Sequence, residues 1–478
     1  MTTLARRAVH NARHLVGGRV CAQATRGVYV LLLARSLDTA AYGSLAFAQA
    51  SYLVLLPFVA LGTREVVAGA MGRSRAEGEL AAAQALGLRA ISLMVCGILL
   101  TLFATTQDDP GRRQLLLVAL FALAGRATAT WAEHVMVACE RSELVLRQEI
   151  TFRPIEVAVA LGVLLADGTA LGLMAVHAIV WLAQGVAGLW LVQSRLFPVE
   201  VSLALPDAAR MTRSGAGAFA ASSASTWILS GPLLLFEAFD GTPERMGQLA
   251  LALQVLRLVS AWPALIGQAT LPVLSDSTRA PTGEHTRFLE SLLQWASTAG
   301  GAIALGGAGL SPIVVPLIFG PRFAPAGSLL GLALLATPLG AVVTTLSQAA
   351  LARRRFGLAA GAAACGLAAW LVASLAALAG HREAALLGAI LVGLAVWTAV
   401  LTAVLLPEWG VRARPVIVAP LVVIGMGWAG YTALEPLHRG AAWAALATAA
   451  AVLAGRRARG SGTDVRALAV AGQLTGES

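Results

Sequence analysis

"GGRVCAQATRGVYVLLLAR", residues 17–35, is long and apolar enough to cross a bilayer, yet it holds arginines at 19 and 26 before Arg35 closes it. Roughly 20 apolar residues bridge about 30 Å of hydrocarbon. A charged side chain at the centre of such a helix costs about 2.5–3.5 kcal/mol even on the lenient insertion scale. Arg19, Gln23 and Arg26 share one face, because seven residues return a helix almost to its starting angle. The stretch therefore reads as a membrane helix whose polar stripe is turned away from lipid.

The rest of the chain is of the same kind. Hydrophobic residues make up 58% of 478 and charged residues 13%, with a mean hydropathy of +0.75. That balance excludes a soluble globular domain and points to an all-α integral membrane protein. Apolar runs of spanning length recur near 15–34, 43–63, 83–104, 114–136, 147–166, 170–193, 214–236, 247–272, 291–319, 325–351, 357–379, 384–406, 414–433 and 438–455. About fourteen transmembrane helices are expected, joined by connections too short for a soluble catalytic domain.

All 35 basic residues are arginine. Twenty-two fall in loops on the side of the N-terminus and seven in loops on the other. By the positive-inside rule both termini are expected in the cytoplasm. The net charge of +10 fits anionic lipid head groups rather than nucleic acid. Cys21, Cys96, Cys139 and Cys365 lie singly in or near spans, without zinc or disulfide spacing. Arg19 and Arg26 interrupt the apolar core that a signal peptide needs, so the first helix is expected to be retained. No Walker loop, Ser–His–Asp set or metal-ligand spacing occurs, so no cofactor and no catalytic residues are expected.

Two halves are discernible. "YGSLAFA" (42–48) opens the second span and "MGQLALA" (246–252) the eighth; Gly43 and Gly247 are 204 residues apart, each after a short acidic loop. Copies two and eight run in the same direction, so their axis would lie along the membrane normal. The expected organisation is an N-lobe over 1–200 (helices 1–6), a C-lobe over 201–406 (helices 7–12), and 407–478 as two further helices with a short polar cytoplasmic tail. The longest inner connection, "SRLFPVEVSLALPDAARMTRSG" (194–215), joins the lobes and suits either a plain linker or an amphipathic surface segment.

"LLARSLDTAAYGSLAFAQASYLVLLPFVALG" (32–62), "LRLVSAWPALIGQATLPVLS" (256–275) and "IVVPLIFGPRFAPAGSLLGLALLATPLGAVVTTLSQAALARRRFG" (313–357) resemble, in order and spacing, the polysaccharide-export flippases of the MOP superfamily. Asp38 departs from the pattern, standing where the family usually has glycine. The resemblance implies two pseudo-symmetric six-helix lobes around a central cavity, often with two extra C-terminal helices. It implies a transporter of the bacterial cytoplasmic (inner) membrane that moves a polyprenyl-diphosphate-linked oligosaccharide from the cytoplasmic to the outer leaflet. Implied partners are that lipid, the surrounding membrane lipids, a polysaccharide polymerase and a chain-length regulator.

Six arginines fall inside spans: Arg19, Arg26, Arg89, Arg126, Arg153 and Arg257. Arg89, about a turn inside the third span, is expected to snorkel to the interface. Arg153 stands three residues before Glu156, at ion-pair spacing. Arg126, Thr130 and Glu133 share a face of the fourth span beside His134, as either a salt-bridged set or a proton-linked coupling pair. Gln254 and Arg257 share a face of the eighth span. Because spans 1, 2, 7 and 8 hold no mid-span Asp or Glu, Arg19, Gln23, Arg26, Gln254 and Arg257 are expected to line an aqueous cavity for an anionic ligand. The superfamily's lipid-diphosphate flippases carry cavity arginines on helices 1 and 8, which points the same way. Ser222 and Thr226 stripe the seventh span, facing a sugar or easing helix packing.

Other classes fit less well. Asp108-Asp109 is the best support for a membrane glycosyltransferase or polymerase, but a Pro-Gly turn follows and the outer loops are short. A cation-coupled exporter typically uses a carboxylate in the N-lobe helices, and helices 1 and 2 carry arginine instead. A peptidoglycan-precursor flippase is closer, but its Arg-Asp pair after helix 1 is missing.

Overall fold

A computed structural model describes residues 3–166, 168–201, 205–239, 241–263, 283–353, 355–378, 383–411 and 422–425. The described residues are helical, with no strand among them. In chain order the helices are α1 (Thr3–Ser36), α2 (Thr39–Ala60), α3 (Thr63–Arg73), α4 (Arg75–Thr105), α5 (Pro110–Ala138), α6 (Ser142–Leu165), α7 (Ala170–Arg195), α8 (Leu205–Ala238), α9 (Pro243–Val259), α10 (Gly283–Phe319), α11 (Ala324–Leu334), α12 (Thr337–Ala352), α13 (Phe356–Leu378) and α14 (Glu383–Trp409). A short 3₁₀ turn, Pro321–Phe323, precedes α11.

These map onto the first twelve expected spans. Among the described residues eight helices are long and apolar enough to cross a membrane, the second span being α2 and α3 together, and the pair containing α11 and α12, bent by 43°, makes a ninth. The remaining three are α1 and α6, which carry charged residues within the span, and α9, which runs on toward residues outside the described set. The thirteenth and fourteenth expected spans also lie outside the described residues, apart from helical 422–425.

Each break has a local cause. Asp38, the residue that departs from the family pattern, caps α2 by accepting a hydrogen bond from Ala41 N at 2.7 Å. Asp109 caps α5 in the same way, accepting from Gly111 N at 2.9 Å with Pro110 in the first turn. Capping thus accounts for half of the acid pair that favoured an enzyme. Between α11 and α12, Pro338 cannot donate to the carbonyl of Leu334, which instead accepts from the Thr337 hydroxyl at 2.6 Å.

Two lobes follow from the packing. In the first, α5 lies against α7, α4 and α2, and α1 against α6. In the second, α13 packs on α14 and α8, and α10 on α11 and α12. They meet chiefly where α2 crosses α9 and α8.

The α2–α9 crossing is reciprocal. A Cβ on Gly43 would come 2.6 Å from the carbonyl of Pro243, and one on Gly247 would come 1.9 Å from that of Thr39. Thr39 and Pro243 are themselves 204 residues apart, as are the caps Asp38 and Thr242. The same patch on each copy therefore touches the other, which is the contact a two-fold axis generates. At the opposite end of α2, Gly62 sits at φ +65 and a Cβ there would lie 2.1 Å from the Gly215 carbonyl in α8. The lobes are in contact at both ends of the bundle.

Further ties at the Asp38 end join the lobes. Arg35, ending α1, donates to the carbonyls of Ile318 (2.7 Å) and Leu317 (2.9 Å) at the end of α10. Arg322 returns the contact to the carbonyls of Ala34 and Arg35. Each helix C-terminus is thus capped by a cation from the other lobe. Arg112 of α5 also pairs with Glu237 of α8.

Alanine usually stabilises a helix interior by about 0.5–1 kcal/mol over glycine. Gly69→Ala in α3, where nothing lies within 4 Å, should raise the melting temperature of the purified protein or leave it unchanged. Gly247→Ala should lower it by several degrees, because the methyl has no room beside Thr39. Equal shifts for the two would contradict the crossing.

Candidate functional site

The intramembrane arginines divide into two groups. Arg89, Arg153 and Arg19 are answered by protein groups, although Nε of Arg153 has no hydrogen bond and meets only Glu149, at 3.5 Å. Arg89 is buried rather than snorkelled: it donates to the Ala127 carbonyl (2.9 Å), Thr130 (3.2 Å) and Thr63 (3.3 Å), and contacts His134 Nδ1 at 3.0 Å. A guanidinium stays charged almost anywhere, so α4 keeps it by surrounding it with acceptors from α3 and α5. Arg153 forms the expected pair with Glu156 and also meets Glu149 and Gln184.

Arg19 was expected to lack a carboxylate. It pairs with Glu133 of α5, so the partner comes from span 4, outside the helices surveyed for acids. Arg126 and Glu133 consequently do not pair with each other. Arg126 turns to the Tyr52 hydroxyl, donating at 3.2 Å, and stacks over Trp181 at 4.7 Å. Glu133 goes to Arg19 and His134 to Arg89. The face read as either a salt-bridged set or a proton-coupling pair is divided among three contacts, with Glu133 in an inter-helix salt bridge to Arg19.

The second group is Arg26, Arg126 and Arg257, brought together from α1, α5 and α9. Arg26 lies within Coulombic reach of both Arg126 and Arg257, and Arg126 within reach of Arg257. At 1.5 Å per residue, Arg26 is about 15 Å from the Ser36 end of α1 and Arg257 about 21 Å from the start of α9, both well inside a hydrocarbon layer of about 30 Å. Arg257 donates to Ser230 at 2.9 Å, but its Nε is buried without a partner, as is Nε of Arg126. Arg26 is half-buried and makes no hydrogen bond or ion pair among the described residues. The Oε1 of Gln23, a turn away on α1, is likewise buried and unpartnered. Gln254 accepts from the Tyr42 hydroxyl at 2.9 Å. The three guanidinium groups thus lie within Coulombic reach of one another in a low-dielectric setting, where like charges repel strongly, with the Glu156 carboxylate also in reach of Arg26. Such a cluster is tolerable around water or an anion.

Ser222 is exposed and Thr226 half-buried, and each hydroxyl turns back to its own helix, to the carbonyls of Phe219 (3.0 Å) and Ser222 (2.8 Å).

Residues absent from the sequence reading complete the polar interior. His177 Nδ1 meets Glu156 Oε1 at 2.5 Å, and its Nε2 meets the Tyr52 hydroxyl at 2.8 Å. Trp181 lies over Arg153 at 4.0 Å. A signal was present: Glu149, Arg153 and Glu156 on α6, and His177, Trp181 and Gln184 on α7, both run i, i+4, i+7. Among the described residues no group of His, Cys, Asp and Glu is placed to hold a metal ion.

The family described as "Polysaccharide biosynthesis protein" matches residues 10–278, more than half of the chain. The chain belongs to that family. Its fold is that of MOP-superfamily transporters. It is similar to the lipid II flippase MurJ in an inward closed conformation, with a TM-score of 0.66 at 11% identity over 92% of this chain and 97% of that one. It is also similar to the eukaryotic MATE transporter AtDTX14, with a TM-score of 0.63 at 15% identity over 88% and 98%. A multidrug resistance MATE transporter in an inward-facing conformation gives 0.58 at 13% over 86% and 95%. No curated protein sequence matches the chain. The fold is thus one shared with multi-pass membrane transporters.

Arg89→Leu removes a cation but orphans the acceptors around it. Each buried group left unsatisfied costs about 1–3 kcal/mol, so the purified variant should melt several degrees below the wild type. Unchanged melting would place Arg89 outside the packed interior.

Proposed function

We propose that this protein flips a polyprenyl-diphosphate-linked oligosaccharide across the bacterial inner membrane, from the cytoplasmic to the outer leaflet, by alternating access of its two lobes. The observation that carries this reading is the convergence of Arg26, Arg126 and Arg257 with unpartnered donors at mid-span. A diphosphate offers paired oxygens to a guanidinium fork, and charge-assisted bonds of this kind strengthen in a low dielectric. The grip has to be moderate, since a head group held too tightly would not leave. The Asp38 end is assigned to the outer face and both termini to the cytoplasm, on the arginine asymmetry of the loops.

In this reading 1–200 and 201–406 are the rocking lobes and 407–478 adds two helices and a polar tail. Arg26 and Arg257, from opposite lobes, grip the diphosphate with Arg126, while Gln23 and Gln254 extend the polar lining. Arg19 stands a turn or two toward the cytoplasmic mouth and is held by Glu133, so it acts at entry. Ser222 and Thr226 offer hydroxyls to the oligosaccharide once their backbone bonds exchange. Glu133 and His134 hold Arg19 and Arg89 in place, and Arg126 belongs with the anion. A polysaccharide polymerase and a chain-length regulator would act on the product. A second reading, a peptidoglycan lipid-precursor flippase, draws on the likeness to MurJ and shares the same diphosphate chemistry.

Complementation of an export-deficient strain tests the proposal. Arg26→Ala and Arg257→Ala should abolish polymer export at normal membrane levels. Arg26→Lys keeps the charge but loses the fork, and should retain weak export. Asp108→Asn with Asp109→Asn should export normally, since asparagine caps helices as well as aspartate. Normal export by both alanine variants at normal abundance would overturn the reading.

A further inference from the structure

A buried acid–imidazole–phenol chain runs from the first lobe into the arginine cluster, and nothing in the proposed grip on the diphosphate uses its inner members. Glu156 on α6 holds His177 Nδ1, His177 Nε2 holds the Tyr52 hydroxyl from α2, and Tyr52 accepts from Arg126 on α5. His177, Glu156 and Tyr52 are all buried. From α1, the Tyr29 ring stacks on the imidazole at a centroid distance of 6.5 Å, and Arg26 lies within Coulombic reach of Tyr52 and Glu156. From α6, Arg153 holds the other oxygen of Glu156 and approaches Glu149 at 3.5 Å. From α7, Trp181 packs edge-on to the imidazole, and Gln184 ties Arg153 to Glu149. These are the charged and titratable groups around His177 on every helix packed against it.

The chain can be satisfied in two ways. With a neutral imidazole, Nδ1–H donates to the Glu156 carboxylate and Nε2 accepts the hydroxyl hydrogen of Tyr52. With an imidazolium, Nε2–H donates to the Tyr52 oxygen, and the phenolic hydrogen has to turn elsewhere. Arg126 offers only donors, so that hydrogen is left to turn to an anion held beside Arg126. One proton gained at His177 thus reverses the Tyr52 hydrogen bond and adds a donor to the anion site. The electrostatics favour the same direction. Arg126 stands one hydrogen bond beyond Tyr52, as part of the arginine cluster at the far end of the chain. A diphosphate neutralises part of that cluster.

Building on the anion site proposed above, we infer that Glu156 and His177 form a proton-binding site linked through Tyr52 to diphosphate binding, so that the protein takes up a proton as it takes up the anion. Linkage is reciprocal. Acidification therefore tightens anion binding, and the anion raises proton affinity. Histidine is suited to the role because its ordinary titration range, near pH 6.5, lies within the physiological span.

The test uses the full-length protein purified in detergent, with farnesyl diphosphate as the probe and inorganic pyrophosphate in parallel. Affinity is measured by calorimetry from pH 5.5 to 8.5, and proton uptake by an indicator dye in weak buffer. The ligand's own ionisation is common to every variant and cancels in the differences. Wild type should take up close to one proton per site beyond that baseline. Its affinity should rise as pH falls, by at most about tenfold per unit. His177→Gln and Glu156→Gln should bind with a flat excess profile. Tyr52→Phe keeps the acid–imidazole pair but cuts the chain, and should lose the excess uptake while still binding. It also serves if the two polar variants fail to fold, as judged by elution and melting. An equal excess with pyrophosphate assigns the linkage to the phosphates alone; an excess seen only with the farnesyl compound assigns it to the lipid-linked form. Tight binding with no excess uptake in wild type, or with an excess that persists in Tyr52→Phe, overturns the linkage and leaves the anion site standing. No binding by folded wild type at any pH overturns both.

Discussion

A guanidinium in hydrocarbon has to be answered by something, and the interior of this protein is organised by what answers each one. Where the answer comes from protein, the residue is scaffold: Arg89 is ringed by carbonyl and hydroxyl oxygens, Arg153 by two carboxylates and an amide, and Arg19 by Glu133. Where it does not answer fully, Nε of Arg126 and of Arg257 is buried without a hydrogen-bond partner, and Arg26 makes no hydrogen bond or ion pair among the described residues. Burying an incompletely paired charge costs several kcal/mol per ion even after relaxation, and the proposed function reads such a cluster as an anion site. The distinction cannot be made one helix at a time, because each partner arrives from a different helix.

The lobes carry this charge on a backbone that touches backbone. Gly43 meets Pro243 and Gly247 meets Thr39 through equivalent positions 204 residues apart, so the crossing of α2 and α9 is close to its own mirror in the repeat. The absence of side chains there lets the two helices approach without interlocking, and glycine at Gly62 and Gly215 does the same at the other end. Between these contacts lie the helices that bring the arginines together. The reciprocal caps of Arg35 and Arg322 and the Arg112–Glu237 pair add polar ties at the Asp38 end that water can compete for. Ties of that kind are better suited to reversible opening than an apolar seal.

Much of the fold was legible in the sequence because hydropathy at spanning length is a strong signal, and Gly43 with Gly247 marked the repeat before their contact was seen. Asp38 and Asp109 were legible as turn residues, though not as the helix caps they form. The Arg153–Glu156 pair was legible because both residues lie on one helix, three apart. Arg19–Glu133 was not, since it joins positions 114 residues apart and depends on which faces of α1 and α5 meet. The same limit hid His177 and Tyr52. A lone histidine in an apolar span reads as packing until its neighbours are known, although the i, i+4, i+7 stripes of α6 and α7 could have been paired.

The central claim is that Arg26, Arg126 and Arg257 surround one anion. A cryo-electron microscopy map of the full-length protein in lipid nanodiscs with undecaprenyl diphosphate tests it most directly. The account predicts diphosphate density at mid-span between α1, α5 and α9, with phosphate oxygens within about 3 Å of at least two of the three guanidinium groups. Head-group density lying elsewhere, with the three arginines unchanged and solvated, would contradict it.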